Sequence, residues 1–240
     1  GNYAFNDCPM LVNIVIPAKL RRVNGVGGVF RGTTGLKNVS FAEGATKIVA
    51  TLFQNCTSLE SIHIPEGVTT IQANAFNGAS NLKTVSLPQS LTDINSSAFY
   101  GCTSLQALDL PDALTSIGDS AFRFCTVLSD VTLPANLETL AAAAFGDCPQ
   151  LTSINIPKSL RGTSGLNGPF LGETNLKNVT FEEGTTAIVA NLFRDCEGLE
   201  SITIPEGVTT IQANAFNGAV SLKTVSLPQS LTAIISNAFY

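Results

Sequence analysis

Phenylalanine recurs along this chain at Phe5, Phe30, Phe53, Phe76, Phe99, Phe122, Phe145, Phe170, Phe193, Phe216 and Phe239. The step is 23 residues, except for 25 between Phe5 and Phe30 and between Phe145 and Phe170. Eleven of the fourteen phenylalanines belong to this ladder, and no stretch of the 240 residues escapes the period. A unit of that size cannot bury an apolar face by itself, so it has to stack on copies of itself. The period therefore specifies a stacked array of about ten 23–25-residue units and argues against a ball with one central core.

Within a unit the pattern is equally regular. Leu59, Ile62, Ile64, Pro65, Val68, Ile71 and Phe76 mark one copy. Leu105, Leu108 and Leu110, or Leu151, Ile154 and Ile156, mark the same strand segment elsewhere. Alternation of apolar and polar residues in that segment is the signature of a half-buried strand. A proline follows most of these strands, and its missing N–H predicts that the hydrogen-bond ladder ends there. A second short extended piece, V-T-x-I, precedes the Ala-Phe pair. Around that pair the sequence predicts one turn of helix, opened by Asn74 or Ser120 in the manner of an N-cap.

A longer period overlies the short one. Residues 7–100 align with 147–240 without a gap at about two thirds identity, and "PEGVTTIQANAFNGA" occurs verbatim at 65–79 and 205–219. These are tandem copies of a multi-unit block within a single array covering 1–240. The chain begins and stops inside units, at "GNYAF" and "SNAFY", which reads as a fragment of a longer protein.

Composition narrows the function classes. Hydrophobic residues are 44% of the chain, ample for a core spread along a line, and only 13% are charged. A net charge of −5 argues against nucleic acid as a partner. No apolar run approaches the roughly 18 residues of a membrane span, so no membrane insertion is expected.

Chemistry-bearing constellations are sparse. Cys8, Cys56, Cys102, Cys125, Cys148 and Cys196 each stand three residues after a ladder phenylalanine, where other units carry Thr33, Ala79, Glu173 or Ala219. That slot reads as small and poorly solvated, so the cysteines are expected as buried free thiols. With no C-x-x-C and a single histidine, no metal site or cofactor is expected. His63, between Ile62 and Ile64, should face solvent, and its counterpart in the second copy is Thr203. No G-x-S-x-G elbow occurs, and "GVGG" at 25–28 lacks the strand–helix context of a dinucleotide loop. It reads as the loop absorbing the two extra residues of a long unit. No catalytic residues are assigned and an enzyme is not expected.

The outward residues of the strands form one polar, nearly uncharged face without aromatic or arginine anchors. Its centre, around Asp109, Asp130, Thr132 and Asn155, is the candidate ligand-binding region, with the two aspartates as its acidic spot. Lys37, Glu60, Lys83, Lys177, Glu200 and Lys223, just before the strands, read as solvated charge.

The unit seen in "LESIHIPEGVTTIQANAFNGA" and "LQALDLPDALTSIGDSAFRFC" closely resembles the BspA-like leucine-rich repeat, L-x-x-I-x-I-P-x-x-V-x-x-I-G-x-x-A-F-x-x-C. The resemblance covers the whole chain. It departs where the pattern's glycine, kept at Gly118, becomes Gln72, Asn95 or Ala141, and where proline becomes Ala42 or Glu182. The resemblance implies an α/β leucine-rich-repeat solenoid: a right-handed superhelix with a parallel sheet on its concave face and short extended or helical turns on its convex face. It further implies a secreted or cell-surface protein. Its role would be adhesion, binding a host extracellular or cell-surface protein, a matrix protein or glycan among them, or partner cells. The alternative is a structural spacer that displays another domain and binds nothing itself.

Overall fold

The computed structural model describes residues 4–6, 8–20 and 28–240. The expected loop at 25–28 lies largely outside them, with only Gly28 described.

The described chain is a parallel β-solenoid with two rows of very short strands. The first row comprises Asn13–Ile16, Asn38–Phe41, Ser61–His63, Thr84–Ser86, Ala107–Asp109, Asp130–Thr132, Ser153–Ile156, Asn178–Phe181, Ser201–Thr203 and Thr224–Ser226. These strands hydrogen-bond as successive parallel pairs, 13–16 with 38–41, 61–63 with 84–86, and so on, rather than as one unbroken sheet. The second row is the V-T-x-I piece. From Lys47–Ile48 to Thr139–Leu140 it forms a five-stranded ladder, and from Ala187–Ile188 to Ala233–Ile234 a three-stranded one. Between them, the described residues hold only an isolated bridge from Thr139 to Gly162.

Proline decides how long the first-row pairs run. Where proline follows the strand, as at Pro65 or Pro88, there is no N–H to extend the ladder. Ala42 and Glu182 replace that proline, and their N–H groups donate to the carbonyls of Ile16 (2.8 Å) and Ile156 (2.9 Å). In those two places the pairing spans four residues on each strand.

The helical turn expected around Ala-Phe does not form, and the described residues contain no helix. The α/β description is therefore corrected to an all-β solenoid with turns. Asn74 and Ser120 are not N-caps, because their φ angles are +58° and +53°, whereas an N-cap sits in the extended region. Each is the third residue of a four-residue turn, closed from Ala75 N–H to Gln72 O (3.2 Å) and from Ala121 N–H to Gly118 O (3.2 Å). A positive φ there is the type II turn requirement, which favours glycine and asparagine. A second left-handed residue follows four positions on, as at Gly78 (φ +73°), and closes another turn through Ala79 N–H to Phe76 O (3.0 Å). Alternate N–H groups then point along the array. Phe53 donates to Ala75 O (2.8 Å), Phe76 to Ala98 O (2.7 Å) and Phe99 to Ala121 O (2.8 Å). The turns thus form a third hydrogen-bonded column, satisfying the backbone that a helix would have satisfied internally.

Inside, the ladder phenylalanines form one continuous stack from Phe5 to Phe239. Ring centroids are 5.0 Å apart at Phe76–Phe99 and 6.2 Å apart at Phe145–Phe170, the widest step. Rings are close to parallel, within 7° from Phe76 to Phe145. Phe41 and Phe181, at the ends of the longer strands, meet Phe53 and Phe193 edge-on at 6.4 Å and 6.3 Å. The stack sits between the apolar residues of the two strand rows, such as Ile62 and Ile71; its rings from Phe30 to Phe216 are buried, and only the end rings Phe5 and Phe239 are exposed.

The six cysteines are unpaired, five of them buried and Cys8 half-buried. Their slot does more than accommodate small side chains. The Sγ atoms of Cys56, Cys102, Cys125 and Cys148 donate to the carbonyls of Phe30, Phe76, Phe99 and Phe122, the ladder residues one coil back, at 3.1–3.4 Å. Thr33 fills the same slot and donates from Oγ1 to Phe5 O (2.7 Å). Cysteine and threonine share a donor on a small side chain, and their coincidence in one column is the sequence signal for it. Burial pushes the thiols of Cys56 and Cys196 up to about 12, so they stay protonated and unreactive.

Candidate binding surface

Strand alternation aims one set of first-row side chains into the core and the next outward. Asp109, Asp130, Thr132 and Asn155 are all exposed on the outer side. The pairing of Asp130–Thr132 with Ala107–Asp109 sets Thr132 directly opposite Asp109 and Asp130 opposite Ala107. The two aspartates are therefore diagonal neighbours on one strand pair. Asn155 lies on the following pair, where its Oδ1 accepts from Thr180 Oγ1 (2.9 Å). The structure thus joins three of the four candidate residues on one ladder and places the fourth on the next.

Hydrogen bonds between outward side chains tie further pairs across this face. Asn38 Nδ2 donates to Asn13 Oδ1 (2.7 Å), and His63 Nδ1 lies 3.1 Å from Ser86 Oγ. These contacts keep the polar groups ordered while leaving free lone pairs and protons toward solvent. Among the described residues no group of three His, Cys, Asp or Glu side chains is placed to hold a metal.

The row of charge beside the strands is paired as well as solvated. Lys83 reaches Glu60 (2.8 Å), and Glu200 lies between Lys177 (3.0 Å) and Lys223 (3.1 Å). Hydrogen bonds from these lysines hold the Glu60 and Glu200 carboxyls below the usual carboxylate range. All are exposed, so the pairs fix side-chain positions more than they add stability.

A second surface feature lies on the turn column and went unread in the sequence. Tyr100 and Phe124 meet edge to face with centroids 5.3 Å apart. The Arg123 guanidinium stands 4.7 Å from the Phe124 ring centre, and its Nε donates to Asp147 Oδ2 (2.8 Å). Phe124 occupies the left-handed position that Gly78 and Gly101 fill in preceding coils, at φ +62°. A bulky side chain there is unusual. The break in the glycine column at "FRFC" was the available signal.

These features define a class: a stacked leucine-rich-repeat scaffold with an uncovered polar strand face. The pattern of the BspA type leucine rich repeat region matches residues 1–71, 46–164 and 167–240, in six copies, and the chain belongs to that family. No curated protein is similar enough to match. Among solved structures, the chain is similar to a leucine-rich repeat protein from Eubacterium ventriosum (25% identity, TM-score 0.55, covering 95% of this chain and 57% of that one). It is also similar to a leucine-rich repeat protein from Bacteroides ovatus (24%, TM-score 0.54, 95% and 84%). A third is the pneumococcal vaccine antigen PcpA (24%, TM-score 0.57, 95% and 63%).

Proposed function

We propose that the chain is a binding scaffold of a secreted or cell-surface protein, and that its open strand face engages a host extracellular protein, a matrix protein or glycan, or the surface of a partner cell. The observation that carries this reading is the exposure of the outward first-row residues from Asn13 to Ser226, which no other part of the described chain covers. Membership of a family some of whose members resemble adhesins supports the surface location. The face offers small hydroxyl and amide groups held by cross-strand hydrogen bonds, suited to many weak polar contacts repeated from coil to coil. Without aromatic or arginine anchors its affinity at a single site is modest, about micromolar.

Asp109, Asp130, Thr132 and Asn155 form the central contact region, and the acidic pair favours a cationic group on the partner. The role is one of binding rather than catalysis. His63 is in solvent against Ser86. The test immobilises the protein, surveys matrix proteins such as fibronectin, and compares wild type with a Thr132→Arg, Asn155→Arg double variant. Binding by wild type and its loss in a variant with unchanged circular dichroism is the expected result. Equal binding by both rejects this face, and no binding at high surface density favours the spacer reading.

A further inference from the structure

In the cysteine column one residue is out of keeping. Glu173 fills the slot that holds Thr33 in the first copy, and it is fully buried (0% exposed). In neighbouring coils the residue of this slot donates its N–H to its own ladder phenylalanine, as Cys125 does to Phe122 (3.2 Å) and Cys196 to Phe193 (3.2 Å). Cys148 instead donates its N–H to Glu173 Oε1. The other carboxyl oxygen, Oε2, has no partner.

Thr33, Cys56, Cys102, Cys125 and Cys148, in the same slot, donate from hydroxyl or thiol to a carbonyl one coil back. Of the two forms of a carboxyl group only the neutral acid has a proton to donate. The ionised form places a charge among apolar neighbours with a single N–H to answer it, which is costly.

The same coil departs from the regular stacking on its inner and second-row sides, although its first-row strand pairs with the next over four residues. Its phenylalanine step, Phe145–Phe170, is the widest in the stack at 6.2 Å. The second strand row is interrupted there, between the ladder ending at Thr139–Leu140 and the one beginning at Ala187–Ile188.

We propose that the coil carrying Glu173 is a pH-responsive joint, closed while Glu173 is protonated and loosened against the coils of Cys148 and Cys196 when it ionises. Burial first, and then the nearby Asp147 carboxylate, push the Glu173 carboxyl up to about 7. The groups facing it are Asp147 and Cys148 on the preceding coil and Cys196 on the following one. Asp147 is ion-paired with Arg123 at 2.8 Å. Burial pushes both thiols up, Cys196 to about 12, so they remain neutral through the window. The folded value lies above the ordinary carboxyl value of 4.5. A raised carboxyl contributes its stability fully below the ordinary value and loses it as pH rises through the folded value. Tightening is therefore expected below about pH 5 and loosening above about pH 7.

The experiment alkylates native protein at about pH 5.5 and about pH 8 and follows each cysteine by mass spectrometry. Thiolate formation accelerates all buried thiols alike, so the readout is the rate at Cys148 and Cys196 divided by that at Cys56 and Cys102. In wild type this ratio should rise by about tenfold or more between the two conditions. In Glu173→Thr, which restores the first copy's residue, and in Glu173→Gln, which keeps the shape without the titration, it should stay constant. A flat ratio in wild type, or an equal rise in both variants, overturns the proposal. Failure of Glu173→Gln to fold also contradicts it, because a neutral side chain of that shape is what the closed joint holds.

Discussion

At the scale of single residues, the turn column depends on backbone conformations that few side chains adopt. The position before the cysteine slot is left-handed in successive coils, at Asn55, Gly78, Gly101, Phe124, Asp147, Gly172, Asp195 and Gly218. Two glycines in it separate conformational from steric cost. A Cβ on Gly78 would fall 2.2 Å from Asn55 Oδ1, whereas one on Gly101 would find its nearest atoms at 4.0 Å. Both substitutions to alanine incur the left-handed penalty of about 1–2 kcal/mol. Gly78→Ala must also displace Asn55, so its loss of stability in urea should exceed that of Gly101→Ala; equal losses would contradict the packing of this column. The thiols offer a second residue-scale check. In native protein near neutral pH, Cys56, Cys102, Cys125, Cys148 and Cys196 should react with a thiol reagent far more slowly than Cys8. After denaturation without reductant all six should react. Rapid reaction of Cys102 in native protein would show that the slot is open.

At the scale of elements, the strands were legible and the turns were not. Alternation at Ile62 and Ile64 or Ile154 and Ile156, together with the prolines behind most strands, located the first row and its ends. V-T-x-I located the second. Around Ala75-Phe76 the sequence carries a good helix former after a residue type common at N-caps, and local propensity alone favours a helical turn. What overrides it is the neighbouring coil, whose carbonyls take alternate N–H groups, those of Asn74, Phe76 and Gly78, at 2.7–3.0 Å. The overlooked signal was the spacing of Asn74 and Gly78, two residues that tolerate positive φ, four apart where one helical turn would place them. The role of proline in setting strand length gives a prediction at this scale. Ala42→Pro removes the N–H that donates to Ile16 O at 2.8 Å. It should destabilise by about 1 kcal/mol or more in chemical denaturation, and an unchanged midpoint would mean that the bond adds nothing to the longer pair.

At the scale of the whole molecule, coils stack on their neighbours, with Ser164 Oγ reaching one coil further to Asp119 Oδ1 (3.3 Å), so stability is close to a sum of coil and interface terms along one axis. The phenylalanine period made that architecture readable before any coordinate. The candidate site was readable only in part. Alternation showed that Asp109, Thr132 and Asn155 face outward, but short-range pattern carries no information on which strands pair, and so could not separate Asn155 from the ladder that joins Asp109, Asp130 and Thr132. Glu173 stood in the cysteine column in plain sight, yet its unpartnered oxygen follows from packing between coils that a single unit does not encode. The central claim is that the inner stack holds the array together while the outer face is free to recognise a partner. Phe122 is fully buried between Phe99 and Phe145, with ring centroids 5.2 Å away on each side. Thr132 is exposed on the strand face. The direct measurement is urea unfolding of Phe122→Ala beside Thr132→Ala. Phe122→Ala should cost about 3–5 kcal/mol and Thr132→Ala no more than about 0.5 kcal/mol, whereas comparable losses for the two would contradict the assignment of inner and outer faces.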